Sequence, residues 1–164
     1  MSEAEFDDAP TVSPATLQEK LLAGESLTLL DIRDRDEVET WRIEGEAVRF
    51  QQAPKMDFVA ASANGTLDEL ATELDLRDPV VVVCAKGKSS DRVAAMLTDV
   101  GYDAKNLAGG MNAWARLYLA ADFETDGALI RQYHRPASGC RAYLVASGDE
   151  AVVVDPLRAF VDRY

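Results

Sequence analysis

Val80-Val81-Val82-Val83-Cys84-Ala85-Lys86-Gly87-Lys88-Ser89-Ser90 is the stretch from which this chain is best read. Four consecutive valines, β-branched and without polar alternation, predict a strand covered on both faces, as in a parallel sheet. Ser89-Ser90-Asp91 then opens a segment in which Val93, Met96, Leu97 and Val100 recur at helical spacing. A thiol therefore stands where a strand hands over to a helix N-terminus. Loop amides and the helix dipole favour an anion there, and the ammonium groups of Lys86 and Lys88 add to that. Each influence lowers a cysteine pKa and makes the thiolate available as a nucleophile. The competing reading is a small buried hydrophobe, the commoner fate of a lone cysteine. Lys86, Gly87, Lys88 and two serines are poor core residues, which favours the reactive reading.

The flanking sequence alternates strands and helices. Ser13 and Pro14 predict an N-cap and first residue of a helix with Leu17 and Leu21 on its apolar face, ended by Gly24. Strands are expected at residues 27–31 and 47–50, with a short helix at 34–41 between them. Residues 51–65 read as irregular. Helices follow at 67–76 and 90–100, a short strand at 106–107, and a last helix at 111–118. This alternation predicts an α/β domain with a parallel sheet flanked by helices. Sites in such sheets lie at the carboxyl ends of strands, where Cys84 stands. Residues 1–12 read as disordered.

Composition limits the partners. The 164 residues are 48% hydrophobic, enough for one ordinary packed domain and a remainder. No apolar run is long enough to cross a bilayer, and the acidic start, Met1 to Asp8, is not a signal peptide, so a cytoplasmic location is expected. Two cysteines, Cys84 and Cys140, do not form a disulfide framework, and His134 alone cannot complete a zinc site. The net charge of −12 disfavours nucleic acid and anionic membrane. Scarce lysine with abundant Asp, Ala and Val resembles proteins of salt-loving archaea; an ordinary acidic protein is the alternative. In molar salt the Debye length is about 3 Å, so so acidic a surface is tolerated.

Three separated blocks carry a family resemblance. The first is Leu29-Leu30-Asp31-Ile32-Arg33, then Glu37, then Trp41-Arg42-Ile43-Glu44-Gly45-Glu46-Ala47. The second is the loop from Cys84 to Ser89 with Gly87 inside it. The third is Gly101-Tyr102, then Asn106-Leu107-Ala108-Gly109-Gly110-Met111-Asn112-Ala113-Trp114. Together, over about residues 13–118, they resemble the rhodanese (sulfurtransferase) family. That family shows Asp-x-Arg after a strand, an acidic residue and Gly-His-Ile-Pro-Gly-Ala, and ends on Gly-Tyr…Leu-x-Gly-Gly-x-x-Ala-Trp. Here Trp41, Arg42 and Glu44 replace its Gly, His and Pro. Many single-domain members carry an arginine near the end of the active loop, where this chain has Ser89 or Ser90. Lys86 and Lys88 would supply that positive charge as point charges and not as a planar fork.

After residue 118 the composition shifts. Residues 119–126 read as a linker. Strands are expected at 129–133, 141–146 and 151–155, the last two forming a β-hairpin about Ser147-Gly148-Asp149-Glu150. Ser138-Gly139-Cys140-Arg141-Ala142-Tyr143-Leu144-Val145 and Val152-Val153-Val154-Asp155-Pro156 resemble the opening strands of a metallo-β-lactamase-fold hydrolase, without its His-x-His-x-Asp-His metal motif. The resulting expectation is residues 1–12 disordered, 13–122 a rhodanese-like domain, and 123–164 a linker and hairpin fragment of a second domain. A hydrolase domain would then follow covalently, and such fusions suggest sulfur or persulfide metabolism by analogy.

The rhodanese resemblance implies sulfur transfer. Cys84 would take the sulfane sulfur of thiosulfate or a persulfide, become a persulfide itself, and pass the sulfur to cyanide or a thiol, with no metal or other cofactor. Ala85, Lys86, Gly87, Lys88, Ser89 and Ser90 would bind the substrate through loop amides, ammonium groups and hydroxyls. The serines could equally cap the helix. Asp31 and Arg33 read as structural, holding neighbouring loops. Arg42 could face the pocket or solvent, Trp114 reads as a core anchor, and His134 as incidental. Two other functions compete. One is a non-catalytic sulfur carrier or redox-sensing module. The other is a cysteine phosphatase, disfavoured because its Cys-x5-Arg loop would need arginine where Ser90 stands, and Arg92 lies two positions further on.

Overall fold

The computed structural model describes residues 9–77 and 79–164, which divide into two compact units with the boundary between Trp114 and Ala115. In the first unit the elements run β1 (Thr11–Val12), α1 (Pro14–Leu22), β2 (Leu27–Asp31), α2 (Arg35–Thr40), β3 (Val48–Gln52), α3 (Lys55–Asn64), α4 (Leu67–Glu73), β4 (Val80–Val83), α5 (Lys88–Asp99), β5 (Ala104–Leu107) and α6 (Gly110–Ala115). The five strands form one parallel sheet in the order β1-β5-β4-β2-β3.

The valine run is the reason β4 is interior. Val80 to Val83 are at most 3% exposed, with β2 on one side and β5 on the other. Each such side chain contributes roughly 1.5–3 kcal/mol by leaving water. β2 is buried throughout, and its one buried hydroxyl is satisfied: Thr28 Oγ1 donates to Arg77 O at 2.7 Å. On the α5 side, Val93, Ala94, Met96 and Leu97 pack into the main core with Leu30, Val80, Val82 and Phe58. α1 starts as its sequence predicts: Ser13 Oγ accepts from Thr16 N–H at 3.1 Å with Pro14 next in line.

Three local expectations are corrected. Of residues 1–12, the first eight lie outside the described residues, but Thr11 and Val12 pair with Asn106 and Leu107 as a strand and are not disordered. Residues 51–65 are not irregular: they finish β3 and form α3. That helix buries only Phe58 and Ala61, so its apolar periodicity is faint, although Gly65 closes it in a left-handed conformation (φ 70°). The last helix stops at Ala115, short of residue 118.

The second unit is a four-stranded antiparallel sheet, β6 (Leu119–Thr125), β7 (Ala128–Arg135), β8 (Cys140–Ser147) and β9 (Glu150–Val154), followed by a 3-10 turn at Arg158–Arg163. The expected β8–β9 hairpin is present, with Ser147 opposite Glu150 across Gly148-Asp149. The expected linker at 119–126 is instead β6, paired along its length with β7. Asp126-Gly127 makes the turn between them, a dipeptide suited to the tight turns of hairpins. Tyr118, Tyr133 and Ala142 form a small core with Leu144, Leu157, Phe160 and Tyr164 against it. The Tyr118 ring stacks on Phe160 at 4.3 Å and on Tyr133 at 5.3 Å, and its hydroxyl meets that of Tyr164 at 2.6 Å.

Candidate active site

β4 ends at Val83, and Cys84 follows at the carboxyl edge of the sheet. The loop Cys84–Gly87 then curls back under the start of α5. Gly87 takes φ 79°, a left-handed conformation that glycine adopts without penalty. The turn brings amides onto the sulfur: Gly87 N–H donates to Cys84 Sγ at 3.1 Å and Ser90 N–H at 3.4 Å. Ser90 Oγ lies 3.1 Å from the same sulfur. From the other side, the first turn of α6 holds the loop's carbonyls, with Met111 N–H donating to Cys84 O at 2.9 Å and Asn112 N–H to Ala85 O at 3.0 Å.

Burial alone would push the Cys84 thiol up, since a thiolate loses hydration there. Hydrogen bonds from the Ser90 hydroxyl and from the amides of Ser90, Lys86 and Gly87 outweigh this, and the pKa is lowered overall. The downward pull thus comes from fixed donors. The part of Lys86 that takes this role is its backbone amide.

Cys84 lies on the wall of a cavity of about 420 Å³. Of the expected substrate-binding residues, Ala85, Lys86, Lys88 and Ser89 line it, while Gly87 and Ser90 are buried behind the sulfur. The structure therefore separates the two serines: Ser89 faces the cavity, and Ser90 is 0% exposed. Neither caps α5, whose N-cap is Gly87.

Asp31 and Arg33 form a buried pair. Arg33 Nη2 reaches Asp31 Oδ2 at 2.7 Å, and Nε spans both carboxylate oxygens at 3.0 and 3.1 Å. Arg33 Nη2 also donates to Trp41 O at 2.8 Å, which ties β2 to the end of α2. Arg42 is turned elsewhere, bonded to Glu44 at 3.0 Å with its guanidinium 4.9 Å from the Phe50 ring. Trp114 is 4% exposed, as a core residue. Cys140 and His134 belong to the sheet of the second unit.

Several cavity residues were not expected from the sequence. Asp34 and Glu37 come from the start of α2, and Pro54, Lys55 and Met56 from the end of β3 and the start of α3. The signal was the rule that sites gather at carboxyl ends of parallel strands, applied to β3 as well as β4. Asn106 of β5 is a further unforeseen neighbour, 2.7 Å from Ser90 Oγ and 5% exposed. Only the fold brings it there.

This arrangement places the Cys84 sulfur at a cavity wall with donors behind it and cationic side chains beside it. A family model described as rhodanese-like domain matches residues 13–117. The chain belongs to the rhodanese-like domain family; some of the relatives it matches are named sulfurtransferases and one a sulfur carrier protein. YtwF of Bacillus subtilis, whose name carries the word sulfurtransferase, is 32% identical over 103 residues, covering 63% of this chain and 87% of that protein. GlpE of Pseudoalteromonas translucida, by name a thiosulfate sulfurtransferase, is 27% identical over 100 residues, covering 60% and 83%. Among solved structures, RPA3614 of Rhodopseudomonas palustris, a protein of unknown function called a possible tyrosine phosphatase, superposes with a TM-score of 0.50 at 20% identity, covering 70% of this chain and 93% of that one. That likeness bears on the fold alone.

Proposed function

We propose that this chain moves a sulfane sulfur from thiosulfate or a persulfide to a thiophilic acceptor through a persulfide on Cys84. The observation that carries the reading is the set of donors on Cys84 Sγ, the amides of Gly87 and Ser90 and the Ser90 hydroxyl, beside an open cavity. Cys84 Sγ, as thiolate, attacks the outer sulfur of thiosulfate. The new Sγ–S bond forms as the donor's S–S bond breaks, and sulfite leaves with the electron pair. The negative charge then rests on the terminal sulfur of the persulfide. Cyanide or a thiolate acceptor attacks that sulfur and returns Cys84 as thiolate. Lys86, Lys88 and Lys55 line the cavity and attract the anionic donor, while Asp34 and Glu37 limit how much negative charge it tolerates.

The test is mass spectrometry after thiosulfate. The chain should gain one sulfur, Cys84→Ser none, and cyanide should remove it with thiocyanate as product. Addition of sulfur without multiple turnover would favour the carrier reading over the enzyme. A phosphatase reading has less support here, because Ser90 stands six residues after Cys84, where that loop needs arginine, and its hydroxyl lies 3.1 Å from Cys84 Sγ.

The rest of the reading rests on composition and resemblance. No helix among the described residues is long and apolar enough to cross a membrane. The net charge of −12 with 17 lysines and arginines supports a high-salt interior and argues against nucleic-acid partners. The antiparallel sheet of residues 119–154 is compatible with the opening of a metallo-β-lactamase-fold domain. The reading frame beyond the codon for Tyr164 tests that part.

A further inference from the structure

Ser90 has one hydroxyl proton and two acceptors within reach, Cys84 Sγ at 3.1 Å and Asn106 Oδ1 at 2.7 Å. Both Ser90 and Asn106 are buried, so bulk water does not settle which acceptor takes the proton. Both sit on regular elements, Ser90 in the first turn of α5 and Asn106 on β5 between β4 and β1. With Oδ1 toward Ser90, carboxamide and sulfur compete for the single proton. A half-turn of the carboxamide exchanges its oxygen for a nitrogen of nearly the same size, which donates to Ser90 Oγ. The Ser90 proton is then left for the sulfur alone.

We propose that Asn106 is a positioning residue for Cys84. Its carboxamide turns nitrogen-first toward Ser90 when the sulfur is charged, committing the Ser90 proton to Sγ, and oxygen-first when the thiol is neutral. The Ser90 O–H bond is never broken; the thiol proton leaves to solvent through the cavity. Asn106 acts only through Ser90. The inference rests on reading Cys84 as a reactive thiolate, and is independent of which sulfur compound it takes. The charged groups facing the cavity are Arg33, Asp34, Glu37, Lys55, Lys86 and Lys88. They stay the same in every variant below.

The experiment is the rate of iodoacetamide alkylation of Cys84 against pH in the full chain. It compares wild type, Asn106→Leu, Asn106→Ala, Ser90→Ala and the Ser90→Ala/Asn106→Leu pair, each checked for fold by circular dichroism. Cys140→Ser is present throughout, so that one thiol is read. Asn106→Leu takes away the amide donor that Ser90 Oγ gains in the charged state, so it should slow alkylation at neutral pH by about fivefold and move the profile to higher pH; faster alkylation would mean that the carboxamide only competes for the Ser90 proton, and overturns the proposal. In the Ser90→Ala background the same substitution should add nothing further, since its route is gone. A wild-type profile for the Asn106 variants, or an effect undiminished by Ser90→Ala, overturns the proposal. A second readout needs no variant at Asn106: its side-chain amide resonances should shift with the ionisation of Cys84, and resonances that ignore it overturn the proposal. A chain that behaves as expected here but gains no sulfur from thiosulfate overturns the sulfurtransferase reading and leaves the relay standing.

Discussion

Gly110 lies directly against the carbonyl of Cys84. A Cβ at position 110 would fall inside the van der Waals shell of Cys84 O and 2.7 Å from Gly87 N, and φ there is +57°. Gly109 and Gly110, at the start of α6, are therefore the surface on which the cysteine loop is moulded. Gly110→Ala should push the loop off its amide cradle. The left-handed conformation alone costs an alanine about 1–2 kcal/mol, and the clash adds to it. Denaturant unfolding should show the loss, and Cys84 alkylation at neutral pH should slow in the folded fraction. Wild-type stability and alkylation would mean that the loop has slack which the structure does not show.

Asp31→Ala or Arg33→Ala should destabilise the chain by about 3–5 kcal/mol, because each leaves a buried charge without its partner. The double replacement should cost less than the two singles summed. Urea midpoints give both numbers. Alkylation of Cys84 in the folded fraction should change little, which separates a structural role from a catalytic one.

The Cys84 thiol should alkylate with a midpoint below its ordinary value of 9.0, because hydrogen bonds to the sulfur outweigh its burial. Folding then favours the ionised form. That contribution to stability is present above the ordinary value and is lost as pH falls through the lowered folded-state value. The stability difference between wild type and Cys84→Ser should shrink accordingly on acidification. Lys86→Ala/Lys88→Ala should raise KM for thiosulfate while moving this midpoint less than Ser90→Ala does. A larger shift from the lysines would transfer the effect from hydrogen bonds to charge.

A chain ending at residue 117 should fold and form the Cys84 persulfide, since the cavity and every donor on the sulfur lie before Ala115. Persulfide yield per folded molecule should match the full chain. A large loss would make the second unit part of the catalytic body.

Melting temperature should rise with potassium chloride into the molar range, as screening relieves repulsion among the 29 acidic residues. A temperature insensitive to salt would assign the charge to an ordinary acidic surface.

The central strand was legible because Val80–Val83 allows almost nothing else: four β-branched residues without a polar break. The thiol's position was legible for the same reason, being the first residue after that strand. Ser90's task was not, since two adjacent serines look alike in sequence and only the left-handed Gly87 sets which one turns inward. Asn106 was hidden because its link to Ser90 joins β5 to α5 through the fold, sixteen residues away in sequence. α3 escaped because it buries two side chains in ten. β6 escaped because it is largely exposed, with Ala120, Ala121 and Asp122 in place of β-branched residues. The Asp126-Gly127 pair was its one clear sign.

Thr11–Val12 is the entire outer strand on one side of the parallel sheet, and β3 on the other carries Arg49, Gln51 and Gln52. A two-residue border offers a second molecule almost no unpaired backbone to zip along, and a polar one gives it little to bury. The interior strands, rich in valine and leucine, would otherwise be a ready template for intermolecular stacking. Val12 and its neighbour thus act as a seam: cutting the chain after them would bare Asn106 and Leu107 and make that edge a candidate site for aggregation.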